Sequence, residues 1–150
     1  MKCFHKWKSG GQHLDNYGGG VCTMNVLIVE DEGLVALQLK KIAADAGFSV
    51  LGPASGVEQA LAYARRADIA LVDVGLSEGK SGPQLARRLI DRFHTTVIFV
   101  TGIPEAIRQG FGGAFAIIPK PFSDKQVADA LGRARDMRMR GENQITPHGA

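Results

Sequence analysis

The chain has 150 residues, 45% of them hydrophobic and 22% charged, which is the composition of one globular domain and excludes a disordered or fibrous chain. No apolar run approaches the roughly 20 residues that a membrane-spanning helix needs. The net charge of +3 sits at the two ends, because residues 24–122 carry ten basic against ten acidic side chains.

Residues 1–23 show no sustained hydrophobic period, and Gly10-Gly11 and Gly18-Gly19-Gly20 mark them as a flexible leader. Met24 stands directly before the first strand-like run. This suggests a translation start at Met24, with the leader an artefact of gene calling; the intact mass of the native protein decides it. The leader has neither the apolar segment nor the cleavage site of a secretory signal. It holds both cysteines, Cys3 and Cys22, so no disulfide framework is expected and a cytoplasmic location is. His5 and His13 add zinc-type donors, but the spacing matches no closed zinc module.

Asn25–Glu30 (NVLIVE) reads as a buried strand. Gly33–Ala46 reads as a helix with Leu34, Val35, Leu39, Ile42 and Ala43 as its apolar stripe and Gly47 as its stop. A short strand over Phe48–Leu51 ends at Gly52-Pro53. Gly56–Arg66 is helical, with Val57, Ala60, Leu61 and Ala64 on one face. Ile69–Val74 (IALVDV) is a third strand, and residues 75–82 form a loop. Pro83–Arg92 is a helix with proline in its first turn. Thr96–Thr101 (TVIFVT) is a fourth strand. Pro104–Gln109 leaves room for a short helix only, before Gly110, Gly112 and Gly113. Phe115–Ile118 is a fifth strand, and Ser123 with Gln126 forms a capping box for the last helix. Arg133, Arg135, Arg138 and Arg140 are expected as the solvated basic end of that helix, where they suit its dipole. No reading motif accompanies them, so direct nucleic acid binding is not expected. Residues 141–150 are too few and too polar to fold alone and are expected as a disordered tail.

Strands that alternate with helices, each a near-continuous apolar run, predict an α/β domain over residues 24–140. It would be a doubly wound (βα)5 fold with a five-stranded parallel sheet of order 2-1-3-4-5. In such sheets the functional crevice lies at the carboxyl ends of the strands. Strand one ends in Glu30-Asp31-Glu32, strand three runs into Asp73, strand four ends in Thr101 and Lys120 follows strand five. Clustered carboxylates repel one another in a partly buried crevice, and Mg²⁺ is the hard cation that relieves this while accepting phosphate oxygens. A carboxylate can attack phosphorus, with a lysine and a hydroxyl to hold the transferred group. Glu32 reads more simply as a helix N-terminal acid.

At these residues the sequence resembles the receiver domain of two-component response regulators, whose fold is flavodoxin-like. The matching stretches are VLIVEDE at 26–32, IALVDVGL at 69–76, VIFVTG at 97–102 and KPF at 120–122. The resemblance implies that Asp73 is the phosphoacceptor and that Mg²⁺ is held by Glu30, Asp31, Asp73 and the backbone carbonyl of Gly75. Thr101 and Lys120 would hold the phosphoryl group, and the Lys120–Pro121 bond would be cis. A sensor histidine kinase or histidine phosphotransfer protein would be the donor, and an unknown downstream protein the target. The family usually has an aromatic switch residue three positions before the lysine, and here that position is Ile117. TGIPE with a shortened fourth helix looks like an alphaproteobacterial variant found in general-stress regulators. A degenerate receiver that binds partners without phosphorylation is the nearest alternative.

Two other patterns occupy the loop after strand three. Gly75-Leu76-Ser77-Glu78-Gly79 matches the G-x-S-x-G elbow of serine hydrolases, which would make Ser77 a nucleophile with His94 or His148 as base. Gly75 to Gly79-Lys80-Ser81 is a phosphate loop one residue short of the form whose amides curl around phosphates.

Overall fold

The computed structural model describes residues 23–76 and 81–141. Five strands form one parallel sheet: β1 Asn25–Val29, β2 Ser49–Ala54, β3 Ile69–Val72, β4 Thr96–Thr101 and β5 Ala116–Pro119. Their order is β2-β1-β3-β4-β5, as the alternating pattern predicts. The helices are α1 Gly33–Asp45, α2 Val57–Tyr63, α3 Gly82–Phe93, α4 Glu105–Arg108 and α5 Asp124–Gly141, with a 3₁₀ turn at Ala64–Arg66 after α2. Among the described residues no helix is long and apolar enough to cross a membrane. The expected leader and tail, and the zinc-type donors of the leader, lie outside the described residues apart from Thr23 and Gly141.

The period-2 alternation of each strand splits the core into two layers. Val26, Ile28, Ile69, Leu71, Ile98, Val100 and Ile118 face α1 and α5, where they meet Leu39, Ile42, Val127 and Leu131. Leu27, Val29, Ala70, Val72, Val97 and Phe99 face the other way, onto Ala60, Leu85 and Leu89. Strands buried on both faces need no polar alternation, which is why they read as continuous apolar runs.

Several local rules hold as the sequence implies. Gly47 has φ of 91°, and the Gly47 and Phe48 N–H groups donate to the Ala44 and Ala43 carbonyls at 3.1 and 3.0 Å, which closes α1 with a Schellman motif. Ser123 and Gln126 form the capping box of α5. The Ser123 N–H donates to Gln126 Oε1 at 2.9 Å and the Gln126 N–H to Ser123 Oγ at 3.2 Å. The helix between β4 and β5 has only four residues.

Three expectations need correcting. β2 does not end before Gly52-Pro53 but runs through it to Ala54. It is an edge strand with a register shift opposite Leu27–Val29, and an edge strand tolerates a proline because one side needs no donors. Leu34 is not part of the buried stripe of α1: it is 81% exposed, and Ala36 joins Leu39, Ile42 and Ala43 in the core instead. The basic end of α5 is not wholly solvated either. Arg135 lies over the Phe48 ring at 5.1 Å, and Arg138 is drawn against the amino end of the sheet.

Candidate functional site

β1 and β3 are adjacent and parallel, with Val29 beside Val72. Glu30 and Asp73 are the next residue on each chain, so the register alone sets them side by side at the carboxyl edge. The Asp73 N–H donates to the Val29 carbonyl at 3.0 Å, which fixes the Asp73 backbone one step past the strand. β4 and β5 pair with Thr101 beside Pro119. The Lys120 N–H donates to the Thr101 carbonyl at 2.8 Å, and the Lys120–Pro121 bond is cis. The Lys120 side chain reaches back to the acids that follow β1 and β3.

One ligand oxygen from each of Glu30, Asp31 and Asp73 lies within 4.8 Å of the others. Glu30 and Asp73 are buried, and Asp31 is exposed. The Lys120 ammonium sits between the two buried acids, 2.8 Å from Glu30 Oε2 and 3.5 Å from Asp73 Oδ2. Glu30 Oε1 accepts the Glu32 N–H at 3.1 Å. Asp73 Oδ1 accepts the Gly75 N–H at 3.2 Å. Thr101 is fully buried, and its Oγ1 accepts the Ile103 N–H at 3.0 Å.

Burial pushes the Glu30 carboxyl above its ordinary value; the hydrogen bonds from Lys120 and the Glu32 N–H pull it back, and the nearby Asp73 charge adds to the rise. Burial alone would pull the Lys120 ammonium down, but the hydrogen bond and charge of Glu30, with the charge of Asp73, outweigh it and hold the ammonium above its ordinary value. One ammonium therefore answers two buried carboxylates, with a third beside them.

The donors are all carboxylate oxygens, which suit a hard cation. Opposite ligands of an octahedral Mg²⁺ stand about 4.2 Å apart, at roughly 2.1 Å from the metal. Carboxylate oxygens within 4.8 Å of one another are close enough to that span for a Mg²⁺ ion to be received with small side-chain adjustments.

The structure thus brings together Glu30, Asp31, Asp73 and Lys120. It sets Thr101 on the neighbouring strand end, tied through its carbonyl to Lys120. Gly75 contributes its N–H to Asp73. Ser77 and Lys80, which carry the hydrolase and phosphate-loop patterns, lie outside the described residues. His94 is the exposed left-handed cap of α3, at the opposite end of β4 from Thr101. Ile117 is half-buried on β5.

Sequence reasoning missed two features, one of them directly against the site. Arg87 of α3 lies 4.5 Å over the Phe111 ring and donates to the Gly112 carbonyl, while Phe111 meets Phe99 edge-on at 5.1 Å. This stack holds the loop that follows the short α4, and only the tertiary pairing reveals it. The other is Gly82, which packs against the Asp73 and Val74 main chain and whose signal is the serine-glycine-proline run at a helix start.

The five-stranded order and the strand-end acids and lysine are those of a receiver-type fold, and the response regulator receiver domain family matches residues 26–132: the chain belongs to that family. Its members serve two-component signalling. The chain is 33% identical over 113 residues to the phyllosphere-induced regulator PhyR of Methylorubrum extorquens, a match covering 73% of this chain and 42% of that one. It is 30% identical over 125 residues to the aerobic respiration control protein ArcA of Escherichia coli, covering 81% and 51%. The solution structure of the PhyR REC domain of Erythrobacter litoralis matches with a TM-score of 0.69 at 30% identity, over 76% of this chain and 91% of that one. The chain spans about half or less of the length of these curated relatives.

Proposed function

We propose that the chain is a phosphorylation-dependent receiver in which Asp73 takes a phosphoryl group from a phosphohistidine of a sensor kinase or phosphotransfer protein. The observation that carries this reading is the sharing of Lys120 between Glu30 and Asp73 at 2.8 and 3.5 Å. It is an electrostatic surplus of carboxylates at the one edge of the sheet where such folds place their ligands.

An Asp73 carboxylate oxygen attacks phosphorus, the new O–P bond forms, and the N–P bond to the donor imidazole breaks. A Mg²⁺ held by Glu30, Asp31, Asp73 and the Gly75 carbonyl would offset the negative charge of the carboxylates and of the incoming phosphoryl oxygens. The Gly75 N–H holds Asp73 Oδ1 and so orients the carboxylate. Lys120, already within reach of Asp73, turns from Glu30 to the phosphoryl group. Thr101 releases its Ile103 N–H contact and donates its hydroxyl to the same group, which would carry the 101–103 segment with it. Leu34 and Leu37, 81% and 63% exposed on the helix that follows the acids, give a donor protein an apolar strip beside the site.

The likeness to PhyR supports a place in the same branch of signalling. The PhyR of Bartonella quintana is described as an anti-anti-sigma factor and matches over 50% of its length. An output by protein contact, toward a partner of that kind of pathway, is the reading for this chain.

The test is incubation with acetyl phosphate, with and without Mg²⁺, read by intact mass beside Asp73→Asn. One Mg²⁺-dependent phosphoryl adduct that the variant lacks is expected. If a phosphorylated kinase also leaves the protein unmodified, the chain is a phosphorylation-independent binding module.

A further inference from the structure

Gly82 opens α3, and its backbone is outside the left-handed region. Nothing in its conformation calls for glycine, and alanine is the better helix former. What the position lacks is space. A Cβ there would overlap the Asp73 carbonyl oxygen and would lie 2.7 Å from Val74 Cα and 3.0 Å from the Val74 carbonyl oxygen. All three are backbone atoms, which cannot rotate aside as a side chain does.

The peptide unit just before it is held by β1, where the Asp73 N–H donates to the Val29 carbonyl at 3.0 Å. Glu30 and Asp31 follow Val29 directly. The Asp73 main chain is therefore clamped between the strand that carries the other acids and the first turn of α3.

We propose that Gly82 is a positioning residue for the phosphoacceptor: its missing side chain lets α3 rest on the Asp73–Val74 peptide and so sets where the Asp73 carboxylate stands. The inference rests on the receiver reading above. A methyl at 82 forces the peptide back by about 1 Å to restore ordinary van der Waals separation. That moves Asp73 away from its setting beside Glu30 and Lys120, and a misplacement of this size lowers a rate by roughly a hundredfold.

Gly82→Ala tests this against Gly132→Ala, a control on α5 where a Cβ meets nothing within 4 Å. In Gly82→Ala the maximal rate of phosphorylation by acetyl phosphate should fall roughly ten- to a hundredfold, with the half-saturating donor concentration little changed. The rise in melting temperature on adding Mg²⁺ should shrink. In metal-free buffer the amide resonance of Gly75, whose N–H reports on Asp73 Oδ1, should move. Gly132→Ala should leave all three as in the parent.

Leu89→Ala separates positioning from plain loss of stability. Leu89 is fully buried on α3, so trimming it lowers stability while adding no atom against the Asp73–Val74 peptide. It should melt well below the parent and yet, where folded, phosphorylate at the parental rate and leave the Gly75 resonance unmoved. A Leu89→Ala variant as slow as Gly82→Ala overturns the proposal. So does an unmoved Gly75 resonance in folded Gly82→Ala, or a parental rate. Should the parent itself take up no phosphoryl group, the receiver reading fails, and the metal-free Gly75 resonance still decides the role of Gly82.

Discussion

The sheet buries an acid–base pair at each end, and the two differ in how completely they are satisfied. At the amino end, Asp68 Oδ2 accepts the Asn25 N–H at 2.8 Å and Asp68 Oδ1 lies 3.7 Å from Arg138. Arg138 also donates to the His94 carbonyl at 2.9 Å and to Thr96 Oγ1 at 3.0 Å. One charge of each sign is present, and backbone groups complete the hydrogen bonds. At the carboxyl end, Lys120 is divided between Glu30 and Asp73, and Asp31 adds a further negative charge. The first arrangement closes on itself and ties α5 to the sheet. The second leaves negative charge to be answered by something from outside. A buried ion pair by itself says little about function; the uncompensated carboxylate beside it is the informative part.

The contrast predicts opposite responses to substitution. Asp68→Ala removes the acid that answers the Arg138 charge and accepts the Asn25 N–H, and should lose about 3 kcal/mol in urea unfolding. Its phosphorylation rate, measured where the variant is folded, should equal that of the parent. Lys120→Ala leaves two buried carboxylates facing each other and should lose about 2 kcal/mol in metal-free buffer. Millimolar Mg²⁺ should return most of that loss, and a deficit that ignores Mg²⁺ would contradict the charge-surplus picture. Asp73→Asn removes one of the crowded charges and should gain about 1 kcal/mol without metal. A lower melting temperature in that buffer would count against the crowding. Leu34→Gln, on the exposed face of α1, should change stability by less than about 0.5 kcal/mol; a larger loss would mean that the leucine is packed.

The candidate site was legible because its residues stand at or near the carboxyl ends of apolar runs. Once β1, β3, β4 and β5 are read as adjacent strands, Glu30, Asp73, Thr101 and Lys120 must share an edge. β4 is bounded by the residues its pattern implies, and the capping box of Ser123 and Gln126 forms as its spacing suggests. What was not legible depends on distant partners. Leu34 and Ala36 both fit a helical stripe, and only the packing against β1 and α5 decides which turns inward. β2 passes through Pro53 because it lies at the edge of the sheet, a fact of topology rather than of local propensity. Arg138 reads as one more arginine in a basic helix end until Asp68, far back in the chain, is brought beneath it. Gly82 reads as a helix-start glycine until the Asp73 carbonyl is found against it.

The tie made by Arg138 also governs where instruments can be attached. α5 starts beside α1, where Gln38 donates to Asp124 at 3.1 Å, and runs for 18 residues, about 27 Å at the helical rise. Its final turns are then stapled to the amino end of the sheet. A fluorescent tag or surface tether joined after Gly141 would therefore emerge at the pole opposite the proposed phosphoacceptor. Such a fusion would leave the proposed donors free access to Asp73 and makes this end the natural anchor for immobilised binding measurements.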